Sequence, residues 1–265
     1  MLFSIITINY NNAEGLRQTI SSVVCQTNQD FEFIVIDGGS TDESVNIIRS
    51  FSDKIDYWVS EKDCGIYHAM NKGVDQAHGV YCIFMNSGDC FYDQKVLNNI
   101  LVTHADEDII VGKVVIDESN HIISPPPKGE FTMYHLYSGS IPHQGSFIRT
   151  ELLRKYPYDE ELKISSDWKF FVQALIFDNC SIRYVDLFVA RYDTGGIGLS
   201  HPELMKSEKD KYLEEVLPPR VIRDYELMKA SECLTQSITP LLRNSYLIDK
   251  ILYKLGRFLL KIKKI

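Results

Sequence analysis

The first ninety residues alternate between short apolar runs and amphipathic segments, and this alternation is the feature that most constrains the fold. Runs rich in Ile, Val and Phe are typical of strands buried on both faces of a sheet. They occur at residues 3–9, 31–36, 55–59 and 80–85. The segments between them carry apolar residues at helical spacing, at about 13–26, after 41 and at 66–77. A βαβαβαβ order predicts a mostly parallel, Rossmann-like sheet flanked by helices, an α/β fold with right-handed crossovers.

Acidic residues follow the predicted strands or open predicted helices: Asp37, Asp63, Asp89 and Asp167. In an open α/β sheet the ligand crevice lies at the carboxyl ends of the strands. Mg²⁺ and Mn²⁺ prefer oxygen ligands and commonly bind through one or two carboxylates plus substrate phosphates. Asp89, which ends the turn after residues 80–85, is therefore the predicted metal ligand. Each acid alone also fits an ordinary turn or helix cap, so the hypothesis depends on the joint arrangement.

After Asp89 the alternation changes, which predicts a mixed or antiparallel extension followed by a C-terminal helical region. Three consecutive prolines at 125–127 cannot join a sheet and predict a loop. The predicted elements are helices at 94–103, 151–155 and 168–177, strands at 108–111, 113–117, 121–124, 146–149, 181–185 and 187–192, and helix from 201 onward.

Charge and cysteine content exclude several classes of protein. A formal charge of −8 and a pI near 5.4 argue against nucleic-acid binding, which needs a basic surface. The six cysteines form no CxxC pair and no zinc-type spacing with histidine, which is typical of reduced thiols in the cytoplasm. The N-terminus lacks a basic signal-peptide region, and no apolar run reaches the ~18 residues of a membrane span. A cytoplasmic protein is expected.

Several ordered blocks resemble the family-2 glycosyltransferases of the GT-A fold. The nucleotide-sugar-binding half of that family is similar to Ser-Ile-Ile-Thr-Ile-Asn-Tyr-Asn-Asn at 4–12 and Phe-Glu-Phe-Ile-Val-Ile-Asp-Gly-Gly-Ser-Thr-Asp at 31–42. The block Ser-Glu-Lys-Asp-Cys-Gly-Ile-Tyr-His-Ala-Met-Asn-Lys-Gly at 60–73 looks like its next motif. Phe-Met-Asn-Ser-Gly-Asp at 84–89 looks like its metal-binding DxD region. The resemblance is strong over 4–91 and weaker over 142–171.

On the donor side, the resemblance implies that Asp37 contacts the nucleobase and Asp63 the nucleotide. Asp89 would hold the Mn²⁺ or Mg²⁺ ion that bridges the diphosphate. Asn9 and Asn86 belong to the same motifs and would line the nucleotide-sugar site.

On the acceptor side, the resemblance assigns His143 and Gln144 to one motif and Asp167 and Trp168 to another. Asp167 would be the general base. The implied enzyme is a metal-dependent, inverting glycosyltransferase that moves a sugar from a nucleoside-diphosphate sugar to a hydroxyl of a glycan or lipid-linked acceptor, in surface polysaccharide biosynthesis.

One departure from the family pattern leaves an alternative open. Many members carry more acidic residues where this chain has Asn86, Ser87 and Gly88. An Asn oxygen can still bond a ribose hydroxyl or a metal-bound water, which favours an active enzyme. The alternative is a catalytically degenerate, nucleotide-binding or partner-binding module. A dinucleotide-binding oxidoreductase would need GxGxxG after the first strand, where Asn-Tyr-Asn-Asn stands at 9–12.

The predicted domains are a catalytic domain over 1–200, with a donor half 1–91 and an acceptor half 92–200, and a helical region over 201–265. In the tail, 244–265, basic residues flank an apolar stripe at helical spacing. That pattern predicts peripheral contact with an anionic membrane, at its inner face in a cell. The alternative is a helix docked on the catalytic domain or on a second copy of the chain, so the oligomeric state stays open.

Overall fold

The computed structural model of the chain describes residues 1–116, 121–123, 131–193, 201–243 and 250. It divides into two compact units, Met1–Tyr212 and Leu213–Ile265. Three stretches of the sequence lie outside the described residues: the prolines at 125–127 that predict a loop, the glycine-rich sequence at 194–198 and, apart from residue 250, the predicted tail at 244–265. Within the described part of the chain, no helix is long and apolar enough to cross a membrane.

The described strands of the first unit form one nine-stranded sheet in the order β3-β2-β1-β4-β8-β6-β9-β5, with β7 paired to β6. Strands β3, β2, β1 and β4 are parallel, whereas β8 is antiparallel to both β4 and β6. The predicted parallel half and its antiparallel extension are both present. The strands are Phe3–Asn9 (β1), Phe31–Asp37 (β2), Tyr57–Ser60 (β3), Tyr81–Phe84 (β4), Cys90–Phe91 (β5), Ile109–Ile116 (β6), His121–Ile123 (β7), Ser146–Arg149 (β8) and Ile182–Tyr192 (β9).

Helices fill the connections, and a 3₁₀ turn at His143–Gly145 precedes β8. Helix α7 continues directly into a π-helical segment, Val172–Phe177. The helices are Ala13–Val24 (α1), Ser44–Ser50 (α2), Ile66–Gln76 (α3), Val96–Val102 (α4), Met133–Ser138 (α5), Thr150–Lys155 (α6), Ser166–Phe171 (α7), Pro202–Val216 (α8) and Pro219–Arg243 (α9).

Strand β1 is buried along its whole length because helices cover the sheet on both faces. On one face, Ile5 belongs to a core cluster with Leu16 and Ile20 of α1. On the other face, α3 approaches so closely that a Cβ on Gly73 would lie 2.4 Å from Ile6. This packing explains why β1 reads as a continuous apolar run rather than an alternating one.

Two local predictions were wrong. Residues 108–111 and 113–117 form one strand, β6, with an irregular register at Gly112, where a Cβ would lie 2.4 Å from Val189. Residues 181–185 and 187–192 likewise join in β9, because Asp186 points outward and pairs with Lys113.

At the start of α2, neither Ser40 nor Thr41 caps the helix, and Glu43 occupies the cap position. Ser40 donates to Asp37 instead, and the Thr41 amide donates to Asn11. Asp42 accepts from the Ser44 amide at the first position of the helix, at 3.0 Å.

Candidate active site at the strand ends

Asn9 and Asp37 lie side by side because they end two paired parallel strands in register. The Asn9 amide donates to Asp37 Oδ1 at 2.7 Å, and the same oxygen accepts from the Ser40 hydroxyl at 2.6 Å. Oδ2 accepts from the Ser40 amide at 2.9 Å and from the Ser60 hydroxyl at 2.6 Å. Burial raises the pKa of Asp37, but these hydrogen bonds outweigh it and hold the pKa below its usual value. A nucleobase that contacted this carboxylate would have to displace one of its four donors.

Asp63 lies next to this pair, and its side chain is 9% exposed. Its Oδ1 accepts from Lys72 Nζ at 2.7 Å and lies 3.1 Å from His68 Nδ1. Its Oδ2 is buried, has no hydrogen-bond partner among the described residues and faces Gly38, on which a Cβ would lie 3.2 Å away. Asn9 Oδ1 is a second buried acceptor that no donor in the described part of the chain reaches. Buried oxygens of this kind normally have donors, so both are open to a ligand's N–H or O–H groups.

Asp89 lies beyond β4, as predicted, and is 4% exposed. Burial raises its pKa to about 7, although the His143 ring and hydrogen bonds from Gln144 and the Asp193 amide act in the opposite direction. A cation would favour the ionised form of such a carboxylate.

Asp193 was missed by sequence reasoning, and it follows β9, far from the recognised motifs. Its backbone amide donates to Asp89 Oδ1 at 3.0 Å, and its charge contributes to raising the pKa of Asp89. Its carboxylate packs over Gly88, where a Cβ would lie 2.4 Å from Oδ2. The only available signal in the sequence was its position at the end of a predicted strand.

Asp167 is the second residue of α7, and Ser165 rather than Asp167 occupies the cap position. Its Oδ1 accepts from the Tyr67 hydroxyl at 3.2 Å and from the Trp168 amide at 2.8 Å. Its Oδ2 lies 3.1 Å from His143 Nδ1. Burial raises the pKa of Asp167, but the hydrogen bond and charge of His143 outweigh it, so the pKa lies below its usual value. One of the four lone-pair positions, on Oδ2, has no donor among the described residues.

His143 connects Asp167 to the donor-side turn. Its Nε2 lies 3.3 Å from Asn86 Nδ2. A carboxylate accepts only and an amide nitrogen donates only, so neutral His143 carries its proton on Nδ1 and accepts at Nε2. Asn86 Oδ1 then remains buried without a partner. Asp89 and Asp167, predicted from separate motifs, thus belong to one polar cluster.

The other two predicted acceptor-side residues face the protein interior. Gln144 is 6% exposed and bonds Asp89. Trp168 is 1% exposed, and its indole N–H donates to the Leu136 carbonyl at 2.8 Å. In this structure Trp168 has almost no surface for an acceptor to contact.

No group of three or more His, Cys, Asp or Glu side chains suited to a metal ion occurs within the residues that the structure describes. Asp193 lies beside Asp89, and Asn86, in the turn before Asp89, has a buried Oδ1 with no hydrogen-bond partner among the described residues. Oxygen donors of this type suit Mg²⁺ or Mn²⁺, which take their remaining ligands from water and phosphate.

Solved structures identify the fold. S. aureus TarS, in complex with UDP-GlcNAc, superposes with a TM-score of 0.63 at 22% identity, covering 76% of this chain and 61% of that one. The mannosyltransferase PcManGT from Pyrobaculum calidifontis, in complex with GDP-Man and Mn²⁺, gives a TM-score of 0.60 at 17% identity, covering 97% and 80%. The fold is that of the GT-A glycosyltransferases.

Sequence comparison then identifies the family. The model of Glycosyl transferase family 2 matches residues 4–158. A PGL/p-HBAD biosynthesis glycosyltransferase of Mycobacterium tuberculosis is 31% identical over 208 residues, 76% of this chain and 79% of the relative. An uncharacterized glycosyltransferase of Rickettsia prowazekii is 32% identical over 197 residues, 67% and 61% of the two chains. The chain belongs to glycosyl transferase family 2, as the motif resemblance predicted.

Proposed function

We propose that this glycosyltransferase is metal-dependent and inverting, and that it transfers a hexose from a nucleoside-diphosphate sugar to a hydroxyl group. The observation that carries the proposal is the single polar cluster running from Asp89, through the turn at Asn86, to His143 and Asp167. A metal-side carboxylate and a base in one cluster are what a direct displacement at an anomeric carbon needs.

The donor would bind across the ends of β1, β2 and β4. Asn9 Oδ1 and Asp63 Oδ2 are buried acceptors with no protein partner, suited to the N–H and hydroxyl groups of a nucleoside. Asp37 would contact the nucleobase and would give up one of its present hydrogen bonds to do so. Its other hydrogen bonds would keep the turn after β2 in its present conformation. The solved neighbours are complexes with UDP-GlcNAc and GDP-Man, which supports a nucleotide-sugar donor without selecting its base.

Mn²⁺ or Mg²⁺ would be held by Asp89, with Asp193 and the Asn86 oxygen as the other protein groups available to it. When bound, the ion supplies positive charge that stabilises the leaving nucleoside diphosphate. Gln144 and the Asp193 amide orient the Asp89 carboxylate by hydrogen bonding. The solved structure of PcManGT, which has the same fold, is a complex with GDP-Man and Mn²⁺.

Asp167 would act as the general base through Oδ2. The acceptor hydroxyl would donate to the open lone pair, transfer its proton to Asp167, and form a bond to the anomeric carbon as the bond to the diphosphate breaks. Attack opposite the leaving group inverts the anomeric centre. His143 and Tyr67 hold the carboxylate during this step. Of the predicted acceptor-side residues, His143 is the one beside the base, while Gln144 and Trp168 support its surroundings from the interior.

A glycan or a lipid-linked acceptor at a membrane surface is the acceptor class we infer, in polysaccharide or glycolipid biosynthesis. Two observations support it. The mycobacterial relative is a PGL/p-HBAD biosynthesis glycosyltransferase, and in the tail at 244–265 basic residues flank an apolar stripe. The enzyme would then work at the cytoplasmic face of the membrane. A catalytically degenerate module is the competing function, and the reduced acid content at 86–89 favours it.

Calorimetry and a turnover assay together separate the two functions. We expect UDP or GDP to bind with Mn²⁺ present and weakly without it, and Asp89→Asn to remove the metal dependence. Incubation with UDP-GlcNAc and GDP-Man, in separate reactions, should then release nucleoside diphosphate from one of them. Metal-dependent binding without turnover across a wider panel of nucleotide sugars and hydroxyl acceptors would favour the degenerate module.

A further inference from the structure

Glu208, on helix α8, binds the backbone immediately before the catalytic helix α7. Its Oε1 accepts from the Lys163 amide at 2.7 Å. Its Oε2 accepts from the Ile164 amide at 3.1 Å and from the Ser165 amide at 3.0 Å. One side chain therefore holds three successive N–H groups, the last of which belongs to the residue that caps α7.

The held segment ends two residues before Asp167, so its conformation sets where that carboxylate lies. Further contacts tie α8 to the same region. The Ser165 hydroxyl donates to the Met205 carbonyl at 3.3 Å, and Lys209 Nζ lies 5.0 Å from the centre of the Trp168 ring. The Trp168 ring also meets the edge of Tyr212 at 6.0 Å between ring centres. Sequence reasoning placed α8 outside the catalytic domain, whereas these contacts place its residues 205–212 against Ser165 and Trp168, the residues that flank Ser166 and Asp167.

A carboxylate suits this position better than any other side chain. All three partners are donors, so the holding group must accept at least three hydrogen bonds and offer none. Hydrogen bonds to a charged acceptor are also stronger than neutral ones. A glutamine in the same place would present an NH₂ group to at least one of the three amides.

We propose that Glu208 is a positioning residue for the catalytic base: by holding the amides of Lys163, Ile164 and Ser165 it fixes the segment that places Asp167 against His143 and Tyr67. This inference rests on the proposed role of Asp167. Because Glu208 lies on α8, the start of the C-terminal helical region would help to assemble the active site.

The test uses the full-length protein in EDTA and needs no substrate. Hydrogen exchange of the segment 163–165 measures whether Glu208 holds it, and NMR titration of the His143 imidazole measures whether Asp167 stays in place. In Glu208→Gln we expect exchange of these amides to be about 10-fold faster or more. We also expect the pKa of His143 to fall, since burial lowers this pKa and the hydrogen bond and charge of Asp167, together with the charge of Asp89, are what raise it above its ordinary value.

Glu203→Gln is the matched control, because Glu203 is an exposed glutamate in the first turn of the same helix. It should match the wild type in both measurements. Glu208→Asp keeps the charge on a shorter side chain and should give intermediate values in both measurements. If Glu208→Gln does not fold, Glu208→Asp takes its place and is judged by the same two measurements.

Unchanged exchange in the Glu208 variants would overturn the proposal, and so would faster exchange with an unchanged His143 titration. Neither measurement depends on turnover. A failure here therefore leaves the proposed function standing, and an inactive enzyme leaves the Glu208 contact standing.

Discussion

The hydroxyl of Tyr67, on α3, donates a hydrogen bond to Asp167 Oδ1, on α7, at 3.2 Å. The same hydroxyl accepts from the amides of Ser166 and Asp167. Burial and the adjacent Asp167 charge raise the pKa of Tyr67, so the phenol stays protonated and able to donate. A residue of the donor half therefore sets the orientation of a residue of the acceptor half.

Tyr67→Phe should lower kcat about 10-fold or more while leaving nucleoside-diphosphate affinity near the wild-type value. The variant keeps the ring in the core and removes only the hydroxyl, so the carboxylate loses orientation but the fold is retained. Steady-state kinetics and calorimetry together measure this separation. Tyr158→Phe is the control, since the Tyr158 ring packs beside Tyr67 and its buried hydroxyl has no hydrogen-bond partner among the described residues. Equal losses in both variants would mean that the loss of a buried hydroxyl from this region, not the loss of the hydrogen bond to Asp167, is responsible.

Asp167→Asn should reduce sugar transfer by at least about 100-fold, because general base catalysis typically contributes 10²–10⁴-fold. Asn is nearly isosteric, and donor binding should persist. The measurement is single-turnover transfer with saturating donor. Retention of more than about a tenth of the wild-type rate contradicts the assignment of Asp167 as base.

Asp193→Asn should weaken Mn²⁺-dependent binding of nucleoside diphosphate, by about 10-fold, if its carboxylate belongs to the metal site. The substitution removes the charge of Asp193 but keeps its backbone amide, which donates to Asp89, and should leave β9 intact. Asp186→Asn is a matched control on β9, the strand that precedes Asp193, since the Asp186 side chain is 87% exposed. Calorimetric titration of Mn²⁺ in the presence of UDP or GDP gives the comparison. Equal affinities of the two variants would remove Asp193 from the site.

Glu32→Gln should lower the free energy of unfolding by about 1–3 kcal/mol at pH 7, because a buried acceptor loses charged hydrogen bonds. The side chain is 8% exposed and accepts from the Ser4 hydroxyl at 2.5 Å, from the Gly79 amide at 3.0 Å and from the His78 amide. Burial raises its pKa, but these donors hold the pKa below the ordinary value of 4.5.

The pH dependence follows from the sign of that shift. With the folded pKa below the unfolded one, the stabilisation is present above about pH 4.5 and disappears as the pH falls through the folded value. Urea unfolding at pH 7 and at successively lower pH should therefore show wild type and Glu32→Gln converging in acid. If the free energies of unfolding of the two proteins differ by the same amount at every pH, the charge of Glu32 contributes nothing to stability.

Deleting residues 244–265 should abolish co-sedimentation with anionic vesicles while nucleoside-diphosphate binding is retained. The basic residues of the tail would each contribute about 1 kcal/mol near a charged surface, and added salt should weaken binding of the full chain. Vesicles of neutral lipid are the control. If the truncated protein aggregates or unfolds, the tail packs on protein and the docking alternative is correct.

Local pattern was enough to predict the parallel half of the sheet. Strands such as β1 and β4 are apolar runs bounded by turn residues, and parallel pairing brings their carboxyl ends, with Asp37 and Asp89, to one edge. The antiparallel half was harder, because Gly112 and Asp186 resemble strand ends. In fact they accommodate a close approach between strands and an outward-facing ion pair.

The motifs identified the family of this protein, since each motif is a short local string of residues. The arrangement of the site depended on contacts between residues far apart in the chain. Tyr67 and Asp167 are 100 residues apart, and Asp89 and Asp193 are 104 apart. In the sequence, nothing distinguishes Tyr67 and Glu208 from ordinary helix residues. The family resemblance assigned Trp168 to the acceptor side, whereas the structure buries it. The sequence by itself determined which strand ends carry acids. Only the tertiary structure decided which side chains hold those acids, because a hydrogen bond depends on position in space and not on separation along the chain.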